Sequence, residues 1–275
     1  MKAIPQLRTD GFRVRLYSDA PGLVEIPPQA NAIVSIHVGA PSRMSCRHGR
    51  THFCGTAVHG DVEIIPWGMS GSWELKQHDS ALVMSFSPSL LRRAAEESEL
   101  EGAGLELLSR FHTRDIQIEH MAWALKNEME NGYPCGRVYT DSLALALAAR
   151  LIRRHSSLSS SSSCVKGKMP LPKLKEVLLF IDDHLAQDLS LSDIARVAGL
   201  SVSHCSELFR AAIGLSVHQY VIRRKVERAA WLLRESRLPI SQVALETGFA
   251  HQSHLALHMR RILGTTPKKL RSSLQ

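Results

Sequence analysis

Three absences narrow what this chain can be. Its five cysteines, Cys46, Cys54, Cys135, Cys164 and Cys205, are odd in number and irregularly spaced, which excludes the disulfide framework of a small secreted domain. No apolar run approaches the roughly 18 residues of a membrane span, and none at the N-terminus resembles a signal peptide. A cytoplasmic protein with reduced thiols and no membrane partner is expected. Acid is missing from the far end: after Glu246 there is no Asp or Glu, while Arg260, Arg261, Lys268, Lys269 and Arg271 all follow.

What is present is a soluble, globular balance: 275 residues, 44% hydrophobic and 22% charged, long enough for two domains that each bury a core. The net charge of +8 is unevenly placed. From Pro170 onward 15 Lys and Arg face 9 Asp and Glu, whereas the first 169 residues are nearly balanced at 19 against 17. A polyanionic partner for the C-terminal part follows.

The sharpest compositional break is Ser156-Ser-Leu-Ser-Ser-Ser-Ser-Ser163, running on to Pro170, a stretch that buries almost nothing. It divides the chain into a domain over 1–155, a linker over 156–170 and a domain over 171–275. In the first, Ala32-Ile-Val-Ser-Ile-His-Val38 alternates Val34, Ile36 and Val38 against Ser35 and His37, and Ala81 to Phe86 alternates likewise. Such strands are half-buried and antiparallel, as in a sandwich or barrel. After Pro88 the period lengthens. Ile118, Met121, Ala122, Leu125 and Met129 recur at helical spacing up to Gly132, and a second helix near Tyr139 to Arg154 carries Leu143, Leu147 and Leu151. These stripes either cover the strands or, through Ile118, Met121, Leu125, Leu143, Leu147 and Leu151, form the seam of a homodimer.

The last hundred residues repeat themselves. Ser192-Asp-Ile-Ala-Arg-Val-Ala-Gly199 returns 49 positions later as Ser241-Gln-Val-Ala-Leu-Glu-Thr-Gly248, and each copy leads through a second amphipathic segment to a Gly and a polar stop. Two helix-turn-helix units result, each able to read one major groove. In the first, Ser190 opens the leading helix, Gly199 relaxes the turn, and a helix from Ser201 to about Ile213 exposes Ser203, His204, Ser206, Glu207 and Arg210. A helix from Val217 to Ser236 follows. At 1.5 Å per residue it spans about 30 Å, close to one turn of B-DNA, and Arg223, Arg224, Lys225 and Arg228 are expected on its outer face. In the second unit the helix from about His251 to Leu263 exposes His251, Gln252, His254, Leu257, His258, Arg260 and Arg261, with Ser253 at its start. Gln252 suits adenine and an Arg suits guanine. The candidate DNA-contacting residues are therefore these apart from His258, together with Ser201.

Two such units joined by a long helix, with Gly248-Phe249, Ser253, Gly264, Thr266-Pro267 and Arg271 at this spacing, resemble the C-terminal domain of the AraC/XylS family of bacterial transcription regulators over about Leu171 to Arg271. Family members usually carry a large aliphatic residue where Cys205 stands, an Arg where Glu207 stands, and aromatics where Leu255 and Met259 stand. Glu207 bears on function, because a carboxylate can accept from cytosine but repels phosphate. The resemblance implies an α+β two-domain protein with an all-α double helix-turn-helix domain at its C-terminus. It further implies a non-enzymatic regulator that binds promoter DNA as a homodimer under a small-molecule effector, with RNA polymerase a further candidate partner.

The first domain then supplies control. Gly60-Asp-Val-Glu-Ile-Ile-Pro66-Trp-Gly68 resembles the second motif of the cupin barrel, so a cupin-like β-barrel with flanking helices is expected. His37, Trp67 and Trp73 are the candidate effector contacts. The His of metal-binding cupins is replaced by Gly71, and the His-x-His pair is missing. Cys46, His48, His52, Cys54 and His59 lie within fourteen positions, but their spacing fits no metal pattern, and no metal, cofactor or catalytic residue is assigned. Two alternatives accompany this reading: a cupin-like metalloenzyme fused to a DNA-binding tail, and a regulator whose first domain makes only protein contacts.

Overall fold

The computed structural model describes residues 6–99, 105–157 and 169–272 and divides the chain into two compact units, Met1–Cys164 and Val165–Gln275. The Ser-rich linker between 158 and 168 lies outside the described residues, as does Cys164. Its first two positions belong to the first unit. Ser156 pairs with Leu107, and the Ser157 N–H donates to the Glu106 carbonyl oxygen at 2.7 Å, which shortens the linker at that end.

The first unit carries two antiparallel sheets. One runs, in spatial order, β1 (Gln6–Thr9), β2 (Phe12–Asp19), β9 (Asp79–Phe86), β4 (Ala32–His37), β7 (Val62–Ile65) and β10 (Arg110–Thr113). The other runs β3 (Gly22–Ile26), β8 (Gly71–Leu75), β5 (Ser42–His48) and β6 (Thr51–Ala57). Alternation sorts the larger sheet's side chains onto two faces. Phe12, Val14, Val34, Ile36, Val62, Ile64, Leu82, Met84 and Phe86 pack into one hydrophobic core with helices α1 (Pro88–Glu97), α2 (Ile116–Glu130) and α3 (Gly136–His155). The intervening residues Arg13, Arg15, Ile33, Ser35, His37, Glu63, Val83 and Ser85 line a cavity of about 510 Å³ whose remaining lining includes Val24, Ile26, Met44, Ala57, Trp73 and Leu75 of the smaller sheet. Strand β4 is therefore covered on both faces, more than its alternation alone implied.

The helical stripes are spent on this core. Ile118, Leu125, Leu147 and Leu151 are fully buried within the unit, and Met121 and Leu143 pack partly buried against them. These side chains meet the larger sheet and one another, and of the six candidate seam residues Met121 and Leu143 alone keep part of their surface exposed.

In the second unit, α4 (Leu171–Asp183), α5 (Leu191–Ala198) and α6 (Val202–Ile213) precede the long α7 (Val217–Glu235), and α8 (Ile240–Glu246), α9 (Gln252–Leu263) and α10 (Pro267–Ser272) follow it. Helix α7 opens with a complete capping box, Ser216 and Gln219 each satisfying a backbone N–H of the other's end. Its first turns bury Tyr220 against Phe209 of α6, ring centroids 5.6 Å apart, while its later turns bury Val226, Ala229 and Leu233 against Val243, Ala244, Leu255 and Met259. One helix thus serves as the shared wall of both three-helix clusters. Three of the four departures from the family pattern, Cys205, Leu255 and Met259, are fully buried and alter packing, whereas Glu207 is exposed.

Candidate nucleic-acid interface and internal cavity

Each reading helix follows a left-handed glycine. Helix α5 stops at Gly199, φ 64°, whose N–H bonds back to the Arg196 carbonyl oxygen at 3.0 Å, and Ser201 opens α6 by accepting the His204 N–H at 3.4 Å. In the second unit Gly248 has φ 72°, and a Cβ there would stand 2.5 Å from the Leu185 carbonyl oxygen, so only glycine fits. Helix α9 is capped by His251, whose Nδ1 accepts the His254 N–H at 3.2 Å. The cap is therefore an imidazole, and Ser253, expected at the helix start, stands exposed within the first turn instead.

The candidate contact residues occupy the open faces of the two helices. On α6 and its cap, Ser201, Ser203, His204, Glu207 and Arg210 are exposed and Ser206 is half-buried. On α9 and its cap, His251, Gln252, Ser253, Arg260 and Arg261 are exposed, and Leu257 is 64% exposed. His254 is half-buried, its Nε2 3.0 Å from Nε2 of His258. Sequence reasoning passed over Val202, 44% exposed at the first position of α6. An exposed Leu257 and Val202 on faces otherwise polar offer apolar contact to a thymine methyl. The signal was available, since Val202 directly follows the capping Ser201.

The outer face expected of α7 needs correction. Arg224 and Lys225 are buried. Arg224 donates from Nε to Asp182 Oδ1 at 2.8 Å and from Nη1 to Glu227 Oε2 at 2.8 Å; against the penalty of burial, these carboxylates raise its pKa above the usual guanidinium value. Lys225 donates from Nζ to the Gly248 carbonyl oxygen at 2.9 Å, and burial lowers its pKa. Arg223 pairs with Glu227 at 3.1 Å, and the Arg228 guanidinium lies 4.7 Å over the Trp231 ring. Arg224 and Lys225 are thus engaged internally by partners that a helical wheel does not display, Arg223 is half-buried, and Arg228 stands on the outer face as expected.

In the first unit two of the three candidate effector residues reach the cavity. His37 lines it with Nδ1 3.1 Å from Asp79 Oδ1 and Nε2 2.8 Å from the Ala40 carbonyl oxygen; despite burial, these partners raise its pKa. Trp73 lines it and donates from Nε1 to Glu63 Oε2 at 2.8 Å. Trp67 does not line it. That ring packs half-buried against the hydrophobic core, because the turn after β7 carries it outside the space between the sheets. Glu63, Asp61, His112 and the β2 residues Arg13, Arg15 and Tyr17 line the cavity and were missed. Burial pushes Glu63 up to about 7, against hydrogen bonds from Trp73 and Ser35. The alternation Phe12-Arg-Val-Arg-Leu-Tyr17 was the legible signal for β2; nothing local marked Glu63, which sits among apolar neighbours in Val62–Ile65.

The five close-set Cys and His residues are dispersed by the fold. His48 stacks on Phe111 at 4.0 Å and shares a hydrogen bond with Ser109, His52 bonds to Ser45, Cys54 is exposed, and His59 stacks on Trp123 at 4.7 Å. Among the described residues, Cys46 meets two further metal-competent side chains, Glu63 and His112.

A family model for a helix-turn-helix domain matches residues 194–273. A probable transcriptional regulator, LumQ, of Photobacterium leiognathi is 35% identical over 236 residues, covering 78% of this chain and 91% of that protein. The Msm operon regulatory protein of Streptococcus mutans is 24% identical over 225 residues, covering 78% and 76%. Among solved structures, an AraC-type DNA-binding-domain transcriptional regulator from Chromobacterium violaceum is 28% identical and covers 38% of this chain and 92% of its own, with a TM-score of 0.36. No helix among the described residues is long and apolar enough to cross a membrane.

Proposed function

The chain belongs to the AraC/XylS family and is a DNA-binding transcription regulator, and from that premise we propose that it reads two successive major grooves of one promoter duplex with α6 and α9, under control of a ligand held in the cavity of its first unit. The observation that carries the DNA-reading part is the pairing of two capped helices with open polar faces across a single 19-residue helix, about 29 Å long. That length suits one turn of duplex.

The two readers divide the work unequally. Helix α9 carries Gln252 in its first turn and Arg260 and Arg261 in its last, with no acid in its sequence, and supplies most of the electrostatic hold. Helix α6 brings Arg210 and the exposed Glu207, which accepts from a cytosine amine but repels phosphate, and supplies discrimination.

The cavity supports the ligand-control part. A volume of about 510 Å³ lies within the usual size of small-molecule sites, and the lining mixes apolar Ile33, Val83 and Leu75 with convergent polar groups from His37, Glu63 and Arg13.

Binding of the full chain to promoter fragments and to random duplexes, followed by fluorescence anisotropy across a salt series, tests the reading. The expected result is a preference for particular fragments at physiological salt and a steep fall in affinity as salt rises. Equal affinity for random duplexes at physiological salt would overturn it.

A further inference from the structure

Cys46 on β5, Glu63 on β7 and His112 on β10 come together from strands of both sheets. Sγ of Cys46 lies 3.4 Å from Nε2 of His112, and that nitrogen lies 3.3 Å from Oε1 of Glu63. All three residues are buried.

These separations can be compared with what a metal would require. A tetrahedral ion with bonds of about 2.3 Å to sulfur and about 2.0 to 2.1 Å to nitrogen and oxygen sets its sulfur and nitrogen ligands about 3.5 Å apart, and its nitrogen and oxygen ligands about 3.3 Å apart. The observed edges agree with both.

The surroundings orient each donor. Glu63 is anchored through its other oxygen: Oε2 accepts from Trp73 Nε1 at 2.8 Å and from Ser35 Oγ at 3.4 Å, while Oε1 is buried and lies 3.3 Å from His112 Nε2. A carboxylate with one oxygen fastened and the other aimed at a thiol and an imidazole is set as a one-oxygen ligand. Behind His112, Asp61 Oδ2 stands 3.7 Å from Nδ1, on the side where a carboxylate fixes the ring of a metal-bound His. His112 also has φ 39°, a conformation costly for a residue with a Cβ, at an irregularity in the pairing of β10 with β7. The strained backbone turns this imidazole toward Cys46 and Glu63.

A cysteine beside a histidine could instead be a nucleophile and its base. That role needs an accessible, easily ionised thiol. Cys46 is 1% exposed, sits in a hydrophobic cluster with Met44, Ala57 and Leu75, and its thiol is pushed up by burial. The position that carries the metal ligand in metal-binding cupins is also closed here: a side chain at Gly71 would meet the Trp73 ring at 2.6 Å. The three donors therefore form a site of their own.

We propose that Cys46, Glu63 and His112 bind one divalent transition metal of the zinc class, leaving its fourth position for water or a ligand from the cavity that Glu63 and His112 line. The mixed sulfur, nitrogen and oxygen donor set suits zinc, and cobalt reports on it. On binding, the sulfur–metal bond forms as the thiol proton leaves to solvent. This site stands whether or not DNA binding responds to a ligand.

The test is titration of the chelator-stripped full chain with Co²⁺. One ion per chain should bind, with a near-ultraviolet thiolate-to-cobalt band and the strong visible bands of four-coordinate cobalt, all lost when Zn²⁺ is added. Cys46→Ser should abolish the near-ultraviolet band, and Cys54→Ser should retain it. Glu63→Gln should weaken Co²⁺ binding roughly tenfold or more with native circular dichroism, and it carries the test if Cys46→Ser does not fold. Absence of saturable binding, survival of the band in Cys46→Ser, or unchanged affinity in Glu63→Gln would each overturn the proposal. DNA affinity measured on the same samples reports separately on the regulator reading.

Discussion

Lys225 donates from Nζ to the carbonyl oxygen of Gly248 at 2.9 Å, pinning the turn of the second helix-turn-helix to the helix shared by both units. The contact requires a residue without a side chain, since a Cβ on Gly248 would also stand 2.7 Å from that Nζ. Gly248→Ala is therefore expected to destabilise the second unit by about 2 to 4 kcal/mol, from left-handed strain and the clash with Leu185 together. Lys225→Met, which leaves a buried acceptor without its donor, should cost about 1 to 3 kcal/mol. Denaturant unfolding of the two variants checks both figures, and a cost for Gly248→Ala below that of Lys225→Met would contradict the ranking.

Asp115 fastens α2 to α3. Its Oδ1 accepts the N–H groups of Gln117 and Ile118 at the start of α2, and its carboxylate receives Arg150 Nε at 2.9 Å and His155 Nε2 at 3.2 Å. Burial alone would raise its pKa, but the His155 and Arg150 contacts outweigh burial and hold it at about 2, below the ordinary 3.8. A depressed carboxylate contributes stability that is fully present above its unfolded value and is lost as pH falls toward the folded one. Asp115→Asn should thus cost about 2 to 3 kcal/mol at neutral pH, and the gap from the parent should close between roughly pH 4 and pH 2. Unfolding curves across that window give the answer; a gap that stays constant would show that the charge is not what matters.

Leu147 is fully buried in the first unit's core. Leu147→Ala should lower stability by about 2 to 5 kcal/mol through the cavity it leaves, without changing the mass of the native particle. Sedimentation of the folded variant distinguishes this from an interface residue, whose removal would shift the particle mass.

Much of the DNA-reading unit was legible in the sequence because its signals are local. Ser201 and Ser216 cap helices where their spacing placed them, and the glycines after α5 and α8 take the left-handed conformation that the repeat implied. Lys225 and Arg224 were misplaced because a cation in a helical pattern reads as solvent-facing until its partners are known. Those partners, Asp182 and the Gly248 carbonyl group, lie 42 and 23 positions away. The same limit hid the Cys46, Glu63 and His112 cluster: Cys46 and His112 are 66 residues apart and meet only through sheet pairing. The clustered cysteines and histidines that did catch the eye point in different directions once β5 and β6 form.

The inequality of the two readers has its own signature. Arg260→Ala should weaken binding to all duplexes and reduce the slope of log affinity against log salt by about 1. Glu207→Ala should tighten non-specific binding and relax preference at one base pair by about 1 to 3 kcal/mol. Affinities measured on a panel of single-base operator variants would reveal the reverse assignment if Glu207→Ala altered only the salt slope.

Hydroxyl-radical footprinting of the full chain on a selected operator tests the central claim most directly. Two protected windows on one side of the duplex, about 10 base pairs apart and within about 17 to 20 base pairs per protomer, are predicted. Arg260→Ala with Arg261→Ala should erase one window, and Ser203→Ala with Arg210→Ala should weaken the other. A single protected window in the parent protein, or loss of both windows from the Ser203→Ala with Arg210→Ala pair, would contradict two separate readers joined by one helix.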